Sequence, residues 1–307
     1  MSLITANNSN NFHYTWLQRC ACNIIRYGCT SRPKHIAIVM DGNRRFAREH
    51  NFERSRGHTL GADKLFDVCQ WCYDLGINEL SVYAFSLENL KRSQDEVDTL
   101  MNIARLKLNE IEKSLEKIHE QQICIRIIGN LELLPDDIRQ SSYRLMNETD
   151  QYNNFILNVC FYYTSRNEIT NIIKDLAEGC QKDLINIDDI DDDLIMQSLI
   201  VSTSHTGHLP DIFLRTSGEL RLSDFMLLQC RFSLWIFADV YWPAFNIWHL
   251  YWIILQYEMK SKTLINIQNQ CKNILQENHI NNEEKTQRIK TYLNWLKQQR
   301  SERLKEL

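Results

Sequence analysis

His35-Ile36-Ala37-Ile38-Val39-Met40-Asp41-Gly42-Asn43-Arg44-Arg45 is the stretch on which the reading of this chain turns. The apolar run is long enough for one buried strand, and it stops on an acid, a glycine, an amide and two arginines. In an α/β protein the carboxyl end of a strand, opening into a helix, is where ligands bind. The first free N–H groups of such a helix favour an anion. Arg44 and Arg45 are planar cations suited to bidentate phosphate contacts, and Asp41 is a hard oxygen ligand of the kind Mg²⁺ accepts. A carboxylate beside two arginines suits a metal diphosphate held between them. It equally suits a strand that ends in a solvated turn with an Asp–Arg pair, and both readings stand on this stretch alone.

Outward from it, apolar runs alternate with helical patterns. Strands are expected at 35–40, 79–86, 123–129, 155–163, 211–216 and 234–238, and helices at 59–75, 94–121, 135–149, 166–181, 189–200 and 247–257. Strands separated by helices imply right-handed crossovers and a central, mostly parallel six-stranded sheet flanked by helices. With only 9 Gly and 4 Pro, no flexible linker divides residues 31–258, which read as a single α/β domain. Residues 1–30 precede it: a polar Asn/Ser-rich segment, then an amphipathic helix carrying Phe12, Trp16, Leu17, Cys20, Ile24 and Ile25 at helical spacing. That helix either packs on the domain or rests at a membrane interface. Residues 259–307 form a polar, helical tail with sparse apolar positions such as Ile289, Leu293 and Leu296, read as a solvated helix or a partner surface.

The net charge of −4 argues against a nucleic-acid binder, so any anion site must be local. Ten cysteines invite a zinc or redox reading at Cys20-Ala-Cys22 and Cys69-Gln-Trp-Cys72, but no second pair stands at ligand spacing. Cys69 and Cys72 share a buried helical stripe, and buried free thiols are expected. No signal peptide is present, and no run approaches the roughly 20 apolar residues of a membrane span.

In a parallel sheet the strand ends gather on one edge. After the first strand come Asp41, Asn43 and Arg45, then Arg54, Arg56 and His58; after the second, Ser86, Glu88, Asn89, Arg92 and Glu96; after the fifth, Arg215, Arg221 and Ser223. Cations converge from three strand ends, which points to more than one phosphate-bearing ligand. There is no P-loop and no dinucleotide fingerprint. The chemistry implied is positioning and electrostatic stabilisation of a diphosphate, bound or departing as leaving group. The apolar stripe of 94–121 suits a tunnel for a greasy substrate or ordinary core packing.

These residues resemble a family. His35–Arg45, Tyr83-Ala-Phe-Ser-Leu-Glu-Asn89 with Arg92, and Asp211-Ile-Phe-Leu-Arg-Thr-Ser-Gly-Glu219 with Arg221-Leu-Ser-Asp-Phe225 and Trp242-Pro243 are similar, in order, to the signature regions of the cis-prenyltransferases, over most of the chain. The Arg44 variant of the first motif, the Arg-Thr-Ser-Gly form of the last and the N-terminal helix resemble the eukaryotic, dehydrodolichyl diphosphate-forming branch. The resemblance implies Mg²⁺-dependent elongation. An allylic diphosphate such as farnesyl diphosphate loses diphosphate, isopentenyl diphosphate attacks, and loss of a proton leaves a cis double bond. By motif, Asp41 would hold Mg²⁺ and the allylic diphosphate, cradled by Gly42, Asn43, Arg44 and Arg45 with help from Arg54; His58 stands with this set. Arg215, Arg221 and Ser223 would bind isopentenyl diphosphate. Asn43 and Ser86 would assist proton removal, and Phe85, Glu88, Asn89, Arg92 and Glu96 would support placement.

Two departures bear on partners. Homodimeric bacterial members carry a metal-binding glutamate eight residues before the Trp of Trp-Pro, where this chain has Leu234, and end in Arg-x-Gly, where it reads Arg303-Leu-Lys-Glu-Leu307. Both imply a second, Nogo-B-receptor-type subunit supplying Arg-x-Gly, and hence a peripheral place on the cytosolic face of the endoplasmic reticulum, in dolichol synthesis for protein glycosylation. The alternative is a non-catalytic scaffold subunit of such a complex; accessory subunits lose the groups equivalent to Asp41, Arg45, Arg215, Arg221 and Ser223.

Overall fold

All six expected strands form one sheet in the computed structural model, which describes residues 14–199, 208–276 and 283–306. They are β1 (His35–Val39), β2 (Glu79–Ser86), β3 (Ile123–Ile128), β4 (Phe155–Tyr163), β5 (Ile212–Thr216) and β6 (Leu234–Ala238). Their order is β3-β4-β2-β1-β5-β6, and every pairing is parallel. Ile36 and Ile38 of β1 point into the larger core cluster, while Ala37 and Val39 join Tyr83, Phe213 and Phe225 on the opposite face. A strand covered on both faces reads as an unbroken apolar run rather than an alternation.

From β1 the chain builds one half of the sheet (β2, β3, β4), then returns to lay β5 on the other side of β1. The carboxyl ends of β1 and β5 therefore flank the point where strand order reverses. That crevice is the ligand position of open α/β sheets.

The helices are α1 (Trp16–Gly28), α2 (Asn43–Glu49), α3 (Arg54–Asp74), α4 (Gln94–Glu112), α5 (Leu115–Gln121), α6 (Asp136–Thr149), α7 (Ser165–Gln181), α8 (Asp192–Ser198), α9 (Ile247–Gln276) and α10 (Glu283–Glu306). Three depart from expectation. The single helix expected over 94–121 is broken between α4 and α5, where Ser114 Oγ donates to Glu110 O at 3.0 Å; a serine bonded to its own backbone competes with the helical ladder. Helix α9 continues nineteen residues beyond the expected end at Tyr257, because its Gln/Lys/Asn-rich continuation loses apolar character without gaining a helix stop. Helix α10 is not a solvated helix: Tyr292 and Leu296 are buried in a cluster with Ile172, Leu176, Leu194 and Met196 of α7 and α8.

Helix α1 packs on the domain. Cys22 and Ile25 are buried, Tyr14 Oη donates to Asp74 Oδ2 at 2.5 Å and Tyr251 Oη donates to Gln18 O at 2.8 Å. A capping box starts it, Gln18 N donating to Thr15 Oγ1 and Thr15 N to Gln18 Oε1. Residues 1–13, with the polar segment and Phe12, lie outside the described residues. Cys69 and Cys72 are free, buried thiols whose pKa values are raised by burial.

Candidate active site

The centre is a pair made by two adjacent strand ends. Arg215, the fourth residue of β5, is only 3% exposed, and its Nη2 donates to Asp41 Oδ2 at 2.6 Å. Its Nη1 donates to Ser223 Oγ at 2.5 Å and Arg221 O at 2.8 Å, while Nε is buried without an acceptor among the described residues. The Asp41 backbone is fixed by Thr216, whose Oγ1 accepts from Asp41 N at 2.9 Å and donates to Asp41 O at 2.7 Å. Gly42 N donates to Asp41 Oδ1 at 2.7 Å. Burial pushes the Asp41 carboxyl up, but the hydrogen bond and charge of Arg215, the Gly42 amide and Arg45 outweigh it and hold the group below its usual range. Gly42 has φ +103°, and a Cβ there would stand 2.7 Å from Tyr241 Cδ1. No side chain fits, which leaves the start of α2 open.

Arg45, one turn into α2, crosses to the β5–β6 connection. Its Nη2 donates to Ser217 Oγ at 2.6 Å and its Nη1 pairs with Glu219 Oε1 at 3.0 Å, with the Tyr241 ring 5.6 Å from the guanidinium. Glu219 also pairs with Arg221. Three cations and two carboxylates thus meet at one edge: Arg45, Arg215 and Arg221 with Asp41 and Glu219.

A second group lies beside α2. Arg92 Nη1 donates to Glu96 Oε1 at 2.7 Å, and Arg44 Nη1 stands 3.8 Å from Glu96 Oε2. His58 Nε2 is 3.6 Å from Glu96 Oε1, longer than a hydrogen bond, and has no hydrogen-bond partner among the described residues. Burial, with the nearby Arg92 and Arg44 charges, pushes His58 down to about 4, so it is neutral near pH 7. Asn43 Oδ1 is buried and likewise without a donor. Such atoms cost stability unless a ligand completes them.

Asn43 and His58 sit at the polar end of a cavity of about 160 Å³. Its walls are almost wholly apolar, including Leu65 and Phe66 of α3, Leu100, Ala104 and Leu108 of α4, and Phe85, Ile125 and Leu157 of the sheet. A dry cavity of this order takes a small hydrocarbon. The stripe on α4 therefore lines this cavity as well as the core.

Not every expected residue joins this assembly. Ser86 and Asn89 hold each other: Glu88 N donates to Ser86 Oγ at 3.1 Å and Ser86 N to Asn89 Oδ1 at 3.0 Å, capping the short 3₁₀ turn over Leu87–Lys91. Glu88 pairs with Lys91 in solvent, and Arg54 is exposed at the start of α3. Leu234 opens β6, in register with Ile212 and hence Ile36, five residues before Asp41. At about 3.3 Å per residue that is some 16 Å away. A carboxylate at 234 would not reach Asp41 of the same chain. Sequence reasoning gave no role to Thr216, Ser217, Glu219 or Tyr241; the Arg215–Glu219 run contained three of them, and only its packing against Asp41 and Arg45 assigns their work.

Among the described residues no three His, Cys, Asp or Glu side chains form a metal cage. Mg²⁺ is held by one or two carboxylates while waters and substrate phosphates complete its shell, and the partly exposed, ionised Asp41 is a carboxylate of that kind, the one that would hold it.

Residues 39–264 match the family described as putative undecaprenyl diphosphate synthase. The chain belongs to the cis-prenyltransferase family. The human dehydrodolichyl diphosphate synthase complex subunit DHDDS is 45% identical over 249 residues, 81% of this chain and 73% of that protein. A tritrans,polycis-undecaprenyl-diphosphate synthase (geranylgeranyl-diphosphate specific) from Pyrococcus horikoshii is 42% identical over 70% of this chain and 80% of its own. Lavandulyl diphosphate synthase from Lavandula x intermedia, solved in complex with dimethylallyl diphosphate, superposes with a TM-score of 0.70 at 28% identity, covering 74% of this chain and 95% of that one.

Proposed function

We propose that this cis-prenyltransferase is the catalytic subunit of a complex that condenses isopentenyl diphosphate onto farnesyl diphosphate to make dehydrodolichyl diphosphate for dolichol synthesis and protein glycosylation. The observation that carries the reading is the buried Arg215–Asp41 pair at the switch point, beside an apolar cavity entered past Asn43 and His58. It offers a charged mouth for two diphosphates and a greasy tunnel for the growing chain. Mg²⁺, when bound, would neutralise charge on the departing diphosphate.

In this reading Gly42, Asn43, Arg44 and Arg45 cradle the allylic diphosphate at the start of α2, with help from Arg54 at the start of α3. Arg215, Arg221 and Ser223 bind isopentenyl diphosphate. Asn43, whose Oδ1 is buried without a donor, and Ser86 assist removal of the proton lost on condensation, while His58, Phe85, Arg92 and Glu96 support substrate placement. Glu88 and Asn89 shape the turn that presents Ser86.

A Nogo-B-receptor-type partner is supported by the names of the human, mouse and Schizosaccharomyces pombe relatives, each a complex subunit. It is supported too by exposed Trp248, Trp252, Leu255 and Met259, spaced four, three and four along α9, and by Trp235 on the edge strand β6. Outward-facing Trp16, Leu17, Ile24 and Tyr27 on α1 suit peripheral contact with the endoplasmic reticulum membrane. No helix among the described residues is long and apolar enough to cross one.

The test is incorporation of labelled isopentenyl diphosphate onto farnesyl diphosphate with Mg²⁺, by the chain alone and co-expressed with the partner. Long-chain product requiring the partner is expected. Robust synthesis by the chain alone rules out the need for a second subunit, and no product in either setting favours the scaffold role.

A further inference from the structure

The β5–β6 connection carries Arg221 and Ser223, yet contains no regular element to hold them. Ser217, Ser223, Asp224 and Met226 all have positive φ (80°, 52°, 59° and 47°). Left-handed backbone costs L-residues about 1–2 kcal/mol each and is ordinarily left to single Gly, Asn or Asp positions. Two consecutive non-glycine residues there persist only where the surroundings over-determine them.

Two anchors do so, one on each of the consecutive residues. Ser223 is fixed from the sheet side by Arg215 Nη1. Asp224 is fixed from the opposite side, at the first turn of α7. Its backbone O accepts from Ser165 N at 2.8 Å, its Oδ1 from Arg166 N at 3.1 Å and its Oδ2 from Arg166 Nε at 2.9 Å. Leu227 N donates to Ser165 Oγ at 2.8 Å, and Gln229 Nε2 to Glu168 Oε2 at 2.8 Å, continuing the same seam. Arg166 is largely exposed, so its ion pair contributes little. The carboxylate's own hold is therefore the Arg166 amide, a helix-start N–H that has no acceptor within α7 and favours an anion, while the Ser165 amide holds the Asp224 backbone oxygen.

We propose that Asp224 is a positioning residue: by docking the β5–β6 connection on the start of α7, it holds Ser223 on Arg215 and Arg221 at the mouth, and so sets the affinity of the second diphosphate subsite. This rests on the proposed assignment of Arg215, Arg221 and Ser223 to isopentenyl diphosphate. It bears on the second subsite more than on the first: Asp224 touches none of β1, α2 and α3, and Arg45 meets the β5–β6 connection at Ser217 and Glu219, ahead of the residues that Asp224 docks.

Two variants test it in the enzyme with its partner. Asp224→Gly keeps the left-handed backbone but removes the carboxylate. Asp224→Asn keeps an acceptor for the Arg166 amide and also tolerates that backbone. For Asp224→Gly the expected result is a roughly tenfold rise in KM for isopentenyl diphosphate with KM for farnesyl diphosphate within about twofold. Asp224→Asn should return to within about threefold of wild type. A merely structural role would lower the active fraction and move both KM values alike, or neither, and either outcome overturns the proposal. Should the wild type not turn over, the functional reading fails separately. Calorimetric titration with isopentenyl diphosphate then decides: roughly tenfold weaker binding by Asp224→Gly upholds the positioning role, whereas equal affinity or no binding by wild type overturns it.

Discussion

Asp41 and Arg215 each make the other tolerable. Burial alone would raise the carboxyl and leave the guanidinium without its counter-charge; together they hold Asp41 ionised. Because its folded pKa is depressed, the pair's contribution to stability is present above the unfolded value of 3.8 and is lost as pH falls through the folded one. Arg215→Met leaves a partly buried carboxylate without its main partner, so it should cost about 1–3 kcal/mol in denaturant unfolding and move the activity profile of any residual turnover toward higher pH. His58 behaves in the same direction for a different reason. Buried neutral, with its pKa at about 4 instead of 6.5, it should make stability decline between pH 6.5 and 4, by on the order of 3 kcal/mol. His58→Gln should flatten that decline, and an imidazole titrating near 6.5 by NMR would contradict it. Asp41, Arg45, Arg215, Arg221 and Ser223 were legible as polar residues at strand ends. Thr216, Ser217 and Glu219 were not, because the partners that bring them to the site, Asp41 and Arg45, lie more than 170 residues away.

At the scale of elements, the site depends on how closely α2 lies against α3. Gly57 and Gly61 make the contact: a Cβ on Gly57 would fall 2.4 Å from Asn43 O, and one on Gly61 2.3 Å from Asn43 Oδ1. Gly61→Ala should therefore push Asn43 off the cavity mouth, lowering stability by about 1–3 kcal/mol and turnover by far more than its unfolded fraction accounts for. Thermal unfolding beside steady-state kinetics reads both, and normal kinetics in a correctly folded variant would contradict the account. The strands were legible almost to the residue because burial on both faces imposes unbroken apolar runs. The short helix α2 was not delimited: seven residues beginning at a glycine with φ +103° carry too little periodicity. The end of α9 was missed because solvated helix and loop share the same polar composition.

At the scale of the molecule, the sheet splits the chain into a working side and a supporting side. The cavity lies among β2, β3, β4, α3, α4 and α6, whereas α10 closes a separate cluster over α7 and α8. Its docking is marked by Gly179, where a Cβ would meet the Tyr292 ring at 2.6 Å, and by Arg288–Asp189 and Arg300–Asp175 pairs. Removing α10 should lower the thermal midpoint by several degrees while leaving KM for both substrates near wild type; a large change in KM would tie the tail to the site. The parallel sheet was legible from the alternation of strands and helices; its order and switch point were not, because alternation does not say which strands pair. That the tail returns to the domain was not, since Tyr292 and Leu296 look like isolated apolar residues until α7 and α8 stand beneath them. The central claim is that Asp41, held by Arg215 at the switch point, carries Mg²⁺-dependent condensation. Its most direct test is the incorporation of labelled isopentenyl diphosphate onto farnesyl diphosphate by wild type and Asp41→Ala, each with the partner subunit. The account predicts long-chain product from wild type and at least a hundredfold less from Asp41→Ala. Equal product from the two proteins would contradict it.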